Sequence, residues 1–254
     1  MNFKDDSIFF IIPCFNEEKR LDLNYWSLLL ENPKLNLIFV NDGSNDRTLE
    51  ILIEFESKNQ NVEVLNQTRN CGKSEAIRTG IQHVMSNQSW VKGLIGYLDS
   101  DSAFAVKDIQ KIVELAGQEK NKNINLFIGS RVALQGREIL RNNFRHIISR
   151  VLVTILGFFY HSIPYDIQSG FKIFQLNSAD KNLFENKFKT RWFVDFEIIL
   201  RLNSIRNKKV NIWEEPVTYW KDVKGSKINF KEKVRIFFEI FYIIFRILRN
   251  SKWT

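Results

Sequence analysis

The chain has 254 residues and a net charge of +8, and 44% of its residues are hydrophobic, including 22 phenylalanines. This composition excludes a disordered, collagen-like or low-complexity chain and can bury the core of one α/β domain with at most a small addition. Its two cysteines, Cys14 and Cys71, cannot form a disulfide framework or a metal-spaced cluster, which favours free thiols in a reducing compartment. The chain begins without a basic segment leading into a leader-length apolar segment, so we expect no secretory signal.

Apolar runs in the first part of the chain predict strands that alternate with helices. The strands fall at 8–12, 35–40, 62–65 and 91–98, and the helices at 21–29, 48–57 and 75–85. This order predicts an α/β fold with a mostly parallel, right-handed wound central sheet of Rossmann type, flanked by helices. Each strand ends in a polar loop at one edge of the sheet, where open α/β sheets bind ligands.

The polar loops collect side chains suited to a nucleotide diphosphate. Phe15 and Glu17 follow the first strand, and Asp42, Lys73 and Asp99 stand near the ends of the later strands. One crevice would thus hold an aromatic wall, carboxylates, a cation and a metal site. No Gly-x-Gly-x-x-Gly and no complete Gly-x-x-x-x-Gly-Lys-Ser/Thr motif occurs, which disfavours a dinucleotide dehydrogenase and a P-loop NTPase.

The acidic residues Asp99 and Asp101 are the candidate metal ligands. They stand one residue apart at the end of the predicted fourth strand. Carboxylate oxygens suit Mg²⁺ or Mn²⁺, and such an ion would hold a diphosphate. The alternative is that the two residues only end the strand and cap the next helix.

Four motifs in the first half resemble glycosyltransferase family 2, whose members have the GT-A fold. They are Pro13-Cys-Phe15-Asn-Glu17, Val40-Asn-Asp42-Gly-Ser44-x-Asp46-x-Thr48, Asn70-x-Gly72-Lys73 and Asp99-Ser-Asp101. The resemblance implies a nucleotide-sugar donor, with the base and ribose held by four residues: Pro13, Phe15, Glu17 and Asp42. It also implies that Lys73 helps to hold the nucleotide and that Asp99 and Asp101 face the diphosphate and its metal. The family usually has Gly-Lys-Gly where this chain has Gly72-Lys73-Ser74.

Motifs in the second half resemble one branch of that family, the polyprenyl-phosphate sugar synthases, and are nearest in pattern to the dolichyl-phosphate glucose synthases. They are Ile128-Gly-Ser-Arg131, Phe144-Arg145, Asp166-Ile-Gln168-Ser-Gly170-Phe-Lys172, Arg191-Trp-Phe-x-Asp195-x-Glu197 and Gly225-Ser-Lys227. The resemblance implies that Arg131 and Arg145 bind the acceptor phosphate, a task that suits bidentate guanidinium groups. The candidate acceptor or sugar residues are Arg131, Arg141, Arg145, Gln168, Asp195, Glu197 and Lys227, and the candidate catalytic residues are Asp99, Asp101, Arg131 and Arg145. The arginines as solvated surface charges, and Asp166 with Gln168 as a simple turn, remain open alternatives.

The activity implied by this resemblance is inverting transfer of a sugar, from UDP-glucose or a related UDP-sugar, to a polyprenyl phosphate. A phosphate monoester has a second pKa near 6, so its oxygen is already a nucleophile at neutral pH and needs no strong general base. The protein must instead neutralise two anions, the attacking phosphate and the departing diphosphate. The alternatives are a family 2 transferase with a soluble or glycan acceptor, and a catalytically silent scaffold that binds nucleotide sugars.

The end of the chain is basic and apolar at once. Residues 221–254 carry six of the eight net positive charges, and amphipathic patterns occur at 145–160 and 230–248. We expect a GT-A domain over 1–228 and a membrane-surface helix within 229–254, which would make the protein cytoplasmic and peripheral on the inner face of the membrane. A helix packed on the core or forming a homo-oligomer is the alternative. Nucleic-acid binding is disfavoured, because zinc-finger spacing, RNA-binding aromatic motifs and a basic stripe in the body are absent from the sequence.

Overall fold

The computed structural model describes residues 7–87, 92–118, 121, 123–141, 150–151, 153–158, 163–206, 209–222 and 230–249. The strands are β1 (Ile8–Cys14), β2 (Leu35–Asp42), β3 (Val62–Gln67), β4 (Lys92–Leu98), β5 (Leu126–Ser130), β6 (Glu138–Leu140), β7 (Phe171–Asn177), β8 (Ile212–Pro216) and β9 (Tyr219–Lys221). The helices are α1 (Leu23–Leu30), α2 (Thr48–Lys58), α3 (Lys73–Ser86), α4 (Val106–Gly117), α5 (Asn182–Glu185), α6 (Val194–Arg206) and α7 (Phe230–Leu248). A 3₁₀ turn at Ser178–Lys181 precedes α5, and the described residues between 150 and 158 are helical.

The central sheet has seven strands in the order β3-β2-β1-β4-β7-β5-β8. The first four are parallel to one another, which confirms the prediction from the apolar runs. Strand β7 is antiparallel to both β4 and β5, and β8 is parallel to β5. A separate two-stranded sheet pairs β6 with β9.

Both faces of the sheet are covered by helices, because alternate residues of the apolar strands point to opposite sides. On one face Phe9 and Ile11 of β1 belong to the same buried cluster as Ile77 of α3. On the other face Phe10 of β1 belongs to the same cluster as Trp26 of α1. The candidate functional site lies at the edge of the sheet, between these two layers of helices.

The predicted C-terminal amphipathic helix is present as α7. Its inner face buries Ile243 and Glu239, and Ile243 belongs to the core of the domain. Its outer face exposes four phenylalanines and a leucine, namely Phe237, Phe238, Phe241, Phe245 and Leu248. None of the helices in the described ranges combines the length and the apolar character that a membrane span needs.

The described part of the predicted amphipathic segment at 145–160 is also two-sided. Val153 and Leu156 are buried, whereas Val151 and Phe158 are exposed. This segment therefore adds a second amphipathic helix to the surface of the domain.

Candidate active site

The first two strands end side by side, with Pro13 paired to Val40 and Cys14 paired to Asn41. The loops that follow them are joined by hydrogen bonds. The amide of Asn16 donates to Oγ of Ser44 at 3.0 Å, and the amide of Asn45 donates to Oδ1 of Asn16 at 2.9 Å. The two loops therefore form one wall of the crevice.

Asn16 is in the left-handed region, at φ 53°. Asparagine tolerates this region better than most residues, so the loop after β1 can turn back toward the loop after β2. The next residue, Glu17, is buried and pairs with Arg20, and its amide donates to Oγ1 of Thr48 at 2.8 Å. Phe15 is half-buried beside this turn.

Asp42 ends β2 and holds the loop that leads into α3. Its two carboxylate oxygens accept the amides of Cys71 and Gly72, each at 2.7 Å. Burial raises the pKa of Asp42, and the two amide bonds oppose that shift only in part. Gly72 has φ +95°, and a Cβ there would lie 3.3 Å from Nε of Arg191. Asp42 thus fixes the loop that presents Lys73.

Lys73 reaches across the sheet edge and donates to Oδ1 of Asp99. Asp101 follows at the turn, where its Oδ1 accepts the amide of Ala103 at 3.3 Å. Burial and the charge of Asp99 raise the pKa of Asp101 to about 6. The two carboxylates therefore repel one another, and a cation between them would relieve that repulsion.

The Asp99 and Asp101 pair fits Mg²⁺ or Mn²⁺ in chemistry, since hard cations take carboxylate oxygens. Across the described ranges, no group of three or more His, Cys, Asp or Glu side chains could hold a metal ion. An ion held by the two carboxylates would therefore need further oxygen ligands of another kind, such as water or substrate phosphate. Mg²⁺ in particular usually keeps water and substrate phosphate ligands.

A second group of charges lies at the ends of β5 and β6. Arg131 makes a bidentate pair with Asp166, with Nε to Oδ2 and NH2 to Oδ1 both at 2.8 Å. Arg141 contacts Oδ2 of the same carboxylate at 2.9 Å. Both guanidinium groups lie over the ring of Trp220, at 5.0 Å and 5.8 Å from its centroid. Burial by itself raises the pKa of Asp166, but the two arginines outweigh it and hold that pKa well below its usual range.

The loop that carries Asp166 is itself fixed from β8. Glu214 accepts the amides of Tyr165 and Asp166 at 2.7 Å and 2.8 Å. The backbone oxygen of Asp166 accepts the amide of Ser169 at 3.0 Å, and the backbone oxygen of Gln168 accepts NH2 of Arg131 at 3.0 Å. Asp166 therefore builds a turn, as one alternative had it, and also orients both arginines.

A third group joins β4, β7 and α6. The Nζ atom of Lys172 lies 3.0 Å from Oδ1 of Asp195 and donates to the backbone oxygen of Ser169 at 2.6 Å. The hydroxyl of Tyr97 donates to the same Oδ1 atom. Burial raises the pKa of Asp195 to about 7, against the opposing effect of the charge of Lys73. Burial also lowers the pKa of Lys172 well below its ordinary value.

Glu197, two residues after Asp195, is fully buried, and its carboxylate is hydrogen-bonded to nearby backbone and side-chain groups. It accepts the amides of Lys189 and Thr190, at 3.0 Å and 2.9 Å, and it pairs with Arg201 at 2.7 Å. These contacts support the loop before α6. Two other candidate residues, Arg145 and Lys227, lie outside the described residues.

The C-terminal helix reaches the same region through Glu239. Its two carboxylate oxygens accept the amides of Arg191 and Trp192, each at 2.9 Å. Because the side chain of Arg191 lies against Gly72, α7 supports the loop that borders the nucleotide side of the crevice.

Five of these residues were not among the sequence candidates: Asp166 in its positioning role, Tyr97, Lys172, Trp220 and Glu239. Lys172 had a detectable signal, because it is a charge inside the apolar strand Phe171–Asn177. Trp220 and Tyr97 had none, since aromatic residues in strands are ordinary core residues. Glu239 stands four residues before the buried Ile243, so its place on an apolar helix face was a weak signal.

Comparison with known proteins gives matches of three kinds: a family model, a relative in sequence and solved structures. The model for glycosyl transferase family 2 matches residues 9–180. Dolichyl-phosphate beta-glucosyltransferase ALG5A of Trichomonas vaginalis is 32% identical over 239 residues, which cover 89% of this chain and 69% of that protein.

Two solved structures share the fold. Glucosyl-3-phosphoglycerate synthase from Mycobacterium tuberculosis, in complex with Mn²⁺, UDP and glucosyl-3-phosphoglycerate, has a TM-score of 0.56 and 14% identity, covering 95% of this chain and 78% of that one. The mannosyltransferase PcManGT from Pyrobaculum calidifontis, in complex with GDP-Man and Mn²⁺, has a TM-score of 0.58 and 12% identity, covering 94% of this chain and 64% of that one. These likenesses confirm the GT-A fold that the sequence predicted.

Proposed function

The chain belongs to glycosyl transferase family 2 and is a glycosyltransferase, and we propose that it transfers glucose from UDP-glucose, or a closely related UDP-sugar, to a polyprenyl phosphate. The proposed transfer takes place at the cytosolic face of a membrane, with inversion at the anomeric carbon. The identity of 32% with a dolichyl-phosphate beta-glucosyltransferase supports this acceptor and this sugar.

One loop carries the proposal, because it joins the two halves of the crevice. At its start, Asp166 orients Arg131 and Arg141. At its end, the backbone oxygen of Gly170 accepts the amide of Asp99 at 3.0 Å. This short loop thus contacts both a pair of arginines suited to a phosphate and a carboxylate suited to a metal diphosphate.

The donor side uses the loops after β1 and β2. Pro13, Phe15, Glu17 and Asp42 would enclose the base and ribose, and Lys73 would contact the diphosphate. Asp99 and Asp101 would hold Mg²⁺ or Mn²⁺, which supplies positive charge to the departing diphosphate.

The acceptor side uses Arg131 and Arg141. Their guanidinium groups would hold the phosphate of the polyprenyl chain, with Arg145 and Lys227 as further candidates. One phosphate oxygen then forms a bond to C1 of the sugar while the bond from C1 to the diphosphate breaks. Attack from the opposite side inverts C1, and no proton has to move, because the phosphate oxygen is already ionised.

The outer face of α7 is the proposed membrane-binding surface. Phe237, Phe238, Phe241 and Phe245 are 53–65% exposed there. Arg235 on the same helix and Arg249 directly after it are also exposed. Each basic residue near an anionic lipid surface contributes about 1 kcal/mol. Aromatic residues beside basic residues match the chemistry of an anionic headgroup layer. Two free cysteines, one buried and one exposed, are consistent with a cytosolic location.

The test is label transfer with the full chain, vesicles that contain polyprenyl phosphate, Mg²⁺ or Mn²⁺, and a panel of labelled UDP- and GDP-sugars. We expect label from UDP-glucose in a product that extracts into organic solvent and is released by mild acid. Asp101→Ala should abolish it, whereas Asp22→Asn, a change at the exposed N-cap of α1, should not.

Two other results would contradict the proposal. Label that enters a water-soluble glycan would support a family 2 transferase with a soluble acceptor. Donor binding without turnover would support a catalytically silent scaffold.

A further inference from the structure

Lys172 is fully buried in the middle of the sheet and has two polar partners. Its Nζ atom lies 3.0 Å from Oδ1 of Asp195 and 2.6 Å from the backbone oxygen of Ser169. A buried ion pair is often no more stable than hydrophobic residues of similar volume. Stability alone therefore does not account for a lysine at this position.

Tyr97 links this buried pair to the metal carboxylates. Its ring centroid lies 5.3 Å from Nζ of Lys172 and 5.6 Å from Nζ of Lys73. Lys73 in turn donates to Asp99, two residues after Tyr97. Two lysine–carboxylate pairs, one on each side of the crevice, thus share a single aromatic ring.

Tyr97, Lys172 and Asp195 form a buried polar network. Tyr97 and Lys172 both contact the same oxygen of Asp195, Oδ1. The side chain of Asp195 keeps 12% of its surface exposed, so it reaches the edge of the crevice. Its position relative to Asp99 is set by two side chains that are themselves fully buried.

We propose that Tyr97 and Lys172 are positioning residues that fix Oδ1 of Asp195, so that Oδ2 faces the sugar or phosphate between the donor and acceptor groups. This inference rests on the proposed function. It predicts that the two residues act on turnover through Asp195 and not on donor binding.

The test is a double-mutant cycle on Tyr97→Phe and Asp195→Asn, with kcat and the donor KM measured for each variant. Tyr97→Phe keeps the ring and removes only the hydroxyl. Alone it should lower kcat about tenfold and leave the donor KM within about twofold, a size typical of coupled polar contacts. In the Asp195→Asn background the same change should lower kcat by less than about twofold.

Lys172→Met provides a second route to the same answer. We expect a melting temperature below that of the wild type, because Asp195 is left without its ion-pair partner, so kcat is measured well below that temperature, where the variant is folded. The kcat value should nevertheless fall about tenfold. Tyr219→Phe, which removes a tyrosine hydroxyl outside the network, is the control and should change neither quantity.

Additive losses in the cycle, or a rise of the donor KM equal to the fall in kcat, would overturn the positioning role. So would a loss of activity in Lys172→Met that only follows a loss of stability. If the wild type transfers no sugar to polyprenyl phosphate, the proposed function fails separately, and the same cycle is then measured on hydrolysis of the nucleotide sugar.

Discussion

Gly170 lies directly against the carboxylate of Asp99. The amide of Asp99 donates to the backbone oxygen of Gly170 at 3.0 Å, and a Cβ atom at position 170 would overlap Oδ2 of Asp99. The space occupied by the carboxylate of Asp99 is thus available only because residue 170 has no side chain.

Gly170→Ala should therefore displace Asp99. We expect a loss of kcat of about tenfold or more and weaker Mn²⁺ binding in the presence of UDP, measured by calorimetry. Gly117→Ala is the matched control, because a Cβ at Gly117 meets nothing within 4 Å. Normal metal binding by Gly170→Ala would show that the carboxylate has room to move.

Arg131→Ala should separate the acceptor side from the donor side. We expect kcat/KM for polyprenyl phosphate to fall roughly 10- to 100-fold, because a charge-assisted bidentate contact is lost. Binding of UDP-glucose should stay within about twofold of the wild-type value. Arg47→Ala, a change at an arginine whose side chain is 72% exposed, is the control. Equal losses of donor and acceptor binding would contradict the assignment of Arg131 to the phosphate.

Because of Asp166, the free energy of unfolding should depend on pH in the acid range. Its folded-state pKa is held well below the usual value by Arg131 and Arg141. A depressed carboxyl pKa stabilises the folded state above the unfolded pKa of about 3.9, and this contribution is lost as the pH falls from there toward the folded pKa.

Asp166→Asn should accordingly be about 3 kcal/mol less stable than the wild type at pH 6, since it leaves buried arginines without their partner. The gap in the free energy of unfolding should narrow as the pH falls below about 4, which urea unfolding at several pH values would measure. A gap that stays constant down to pH 3 would contradict the ion-pair account.

The outer face of α7 should bind anionic vesicles. We expect the double change Phe237→Ser and Phe241→Ser to weaken cosedimentation with such vesicles by about tenfold or more. The reason is that burying one exposed phenylalanine side chain contributes about 1.5–3 kcal/mol to the binding free energy. Leu28→Ser, at an exposed leucine of α1, is the control for a change elsewhere on the surface. Vesicle binding that is unchanged by the double substitution would assign the contact to another surface.

Local sequence patterns were sufficient for the first half of the fold. The runs at 8–12 and 35–40 became β1 and β2 because consecutive apolar residues serve both faces of a covered sheet. The polar residues that follow them meet because parallel neighbouring strands end at one edge. Asp99 and Asp101 directly follow the parallel strand β4, so their position at the same edge could also be predicted from the sequence.

The second half depends on contacts between distant residues, which local patterns do not encode. The antiparallel insertion of β7 between β4 and β5 joins distant segments. Tyr97 pairs with Lys172, 75 residues away, and Phe127 pairs with Ile173, 46 residues away. The role of Asp166 could not be separated from that of a turn residue, because its arginine partners come from other segments. The contact of Glu239 with the loop at Arg191 likewise joins residues 48 positions apart.

Delivery of the sugar to a lipid phosphate can be tested through the stoichiometry of one reaction. Polyprenyl phosphate in vesicles is incubated with UDP-[¹³C]glucose, Mn²⁺ and the full chain, and the lipid product and released UDP are quantified by mass spectrometry. We expect polyprenyl phosphate carrying one labelled hexosyl group, formed in an amount equal to that of the released UDP. Release of UDP with free glucose or a labelled water-soluble glycan, and with unmodified polyprenyl phosphate, would contradict it.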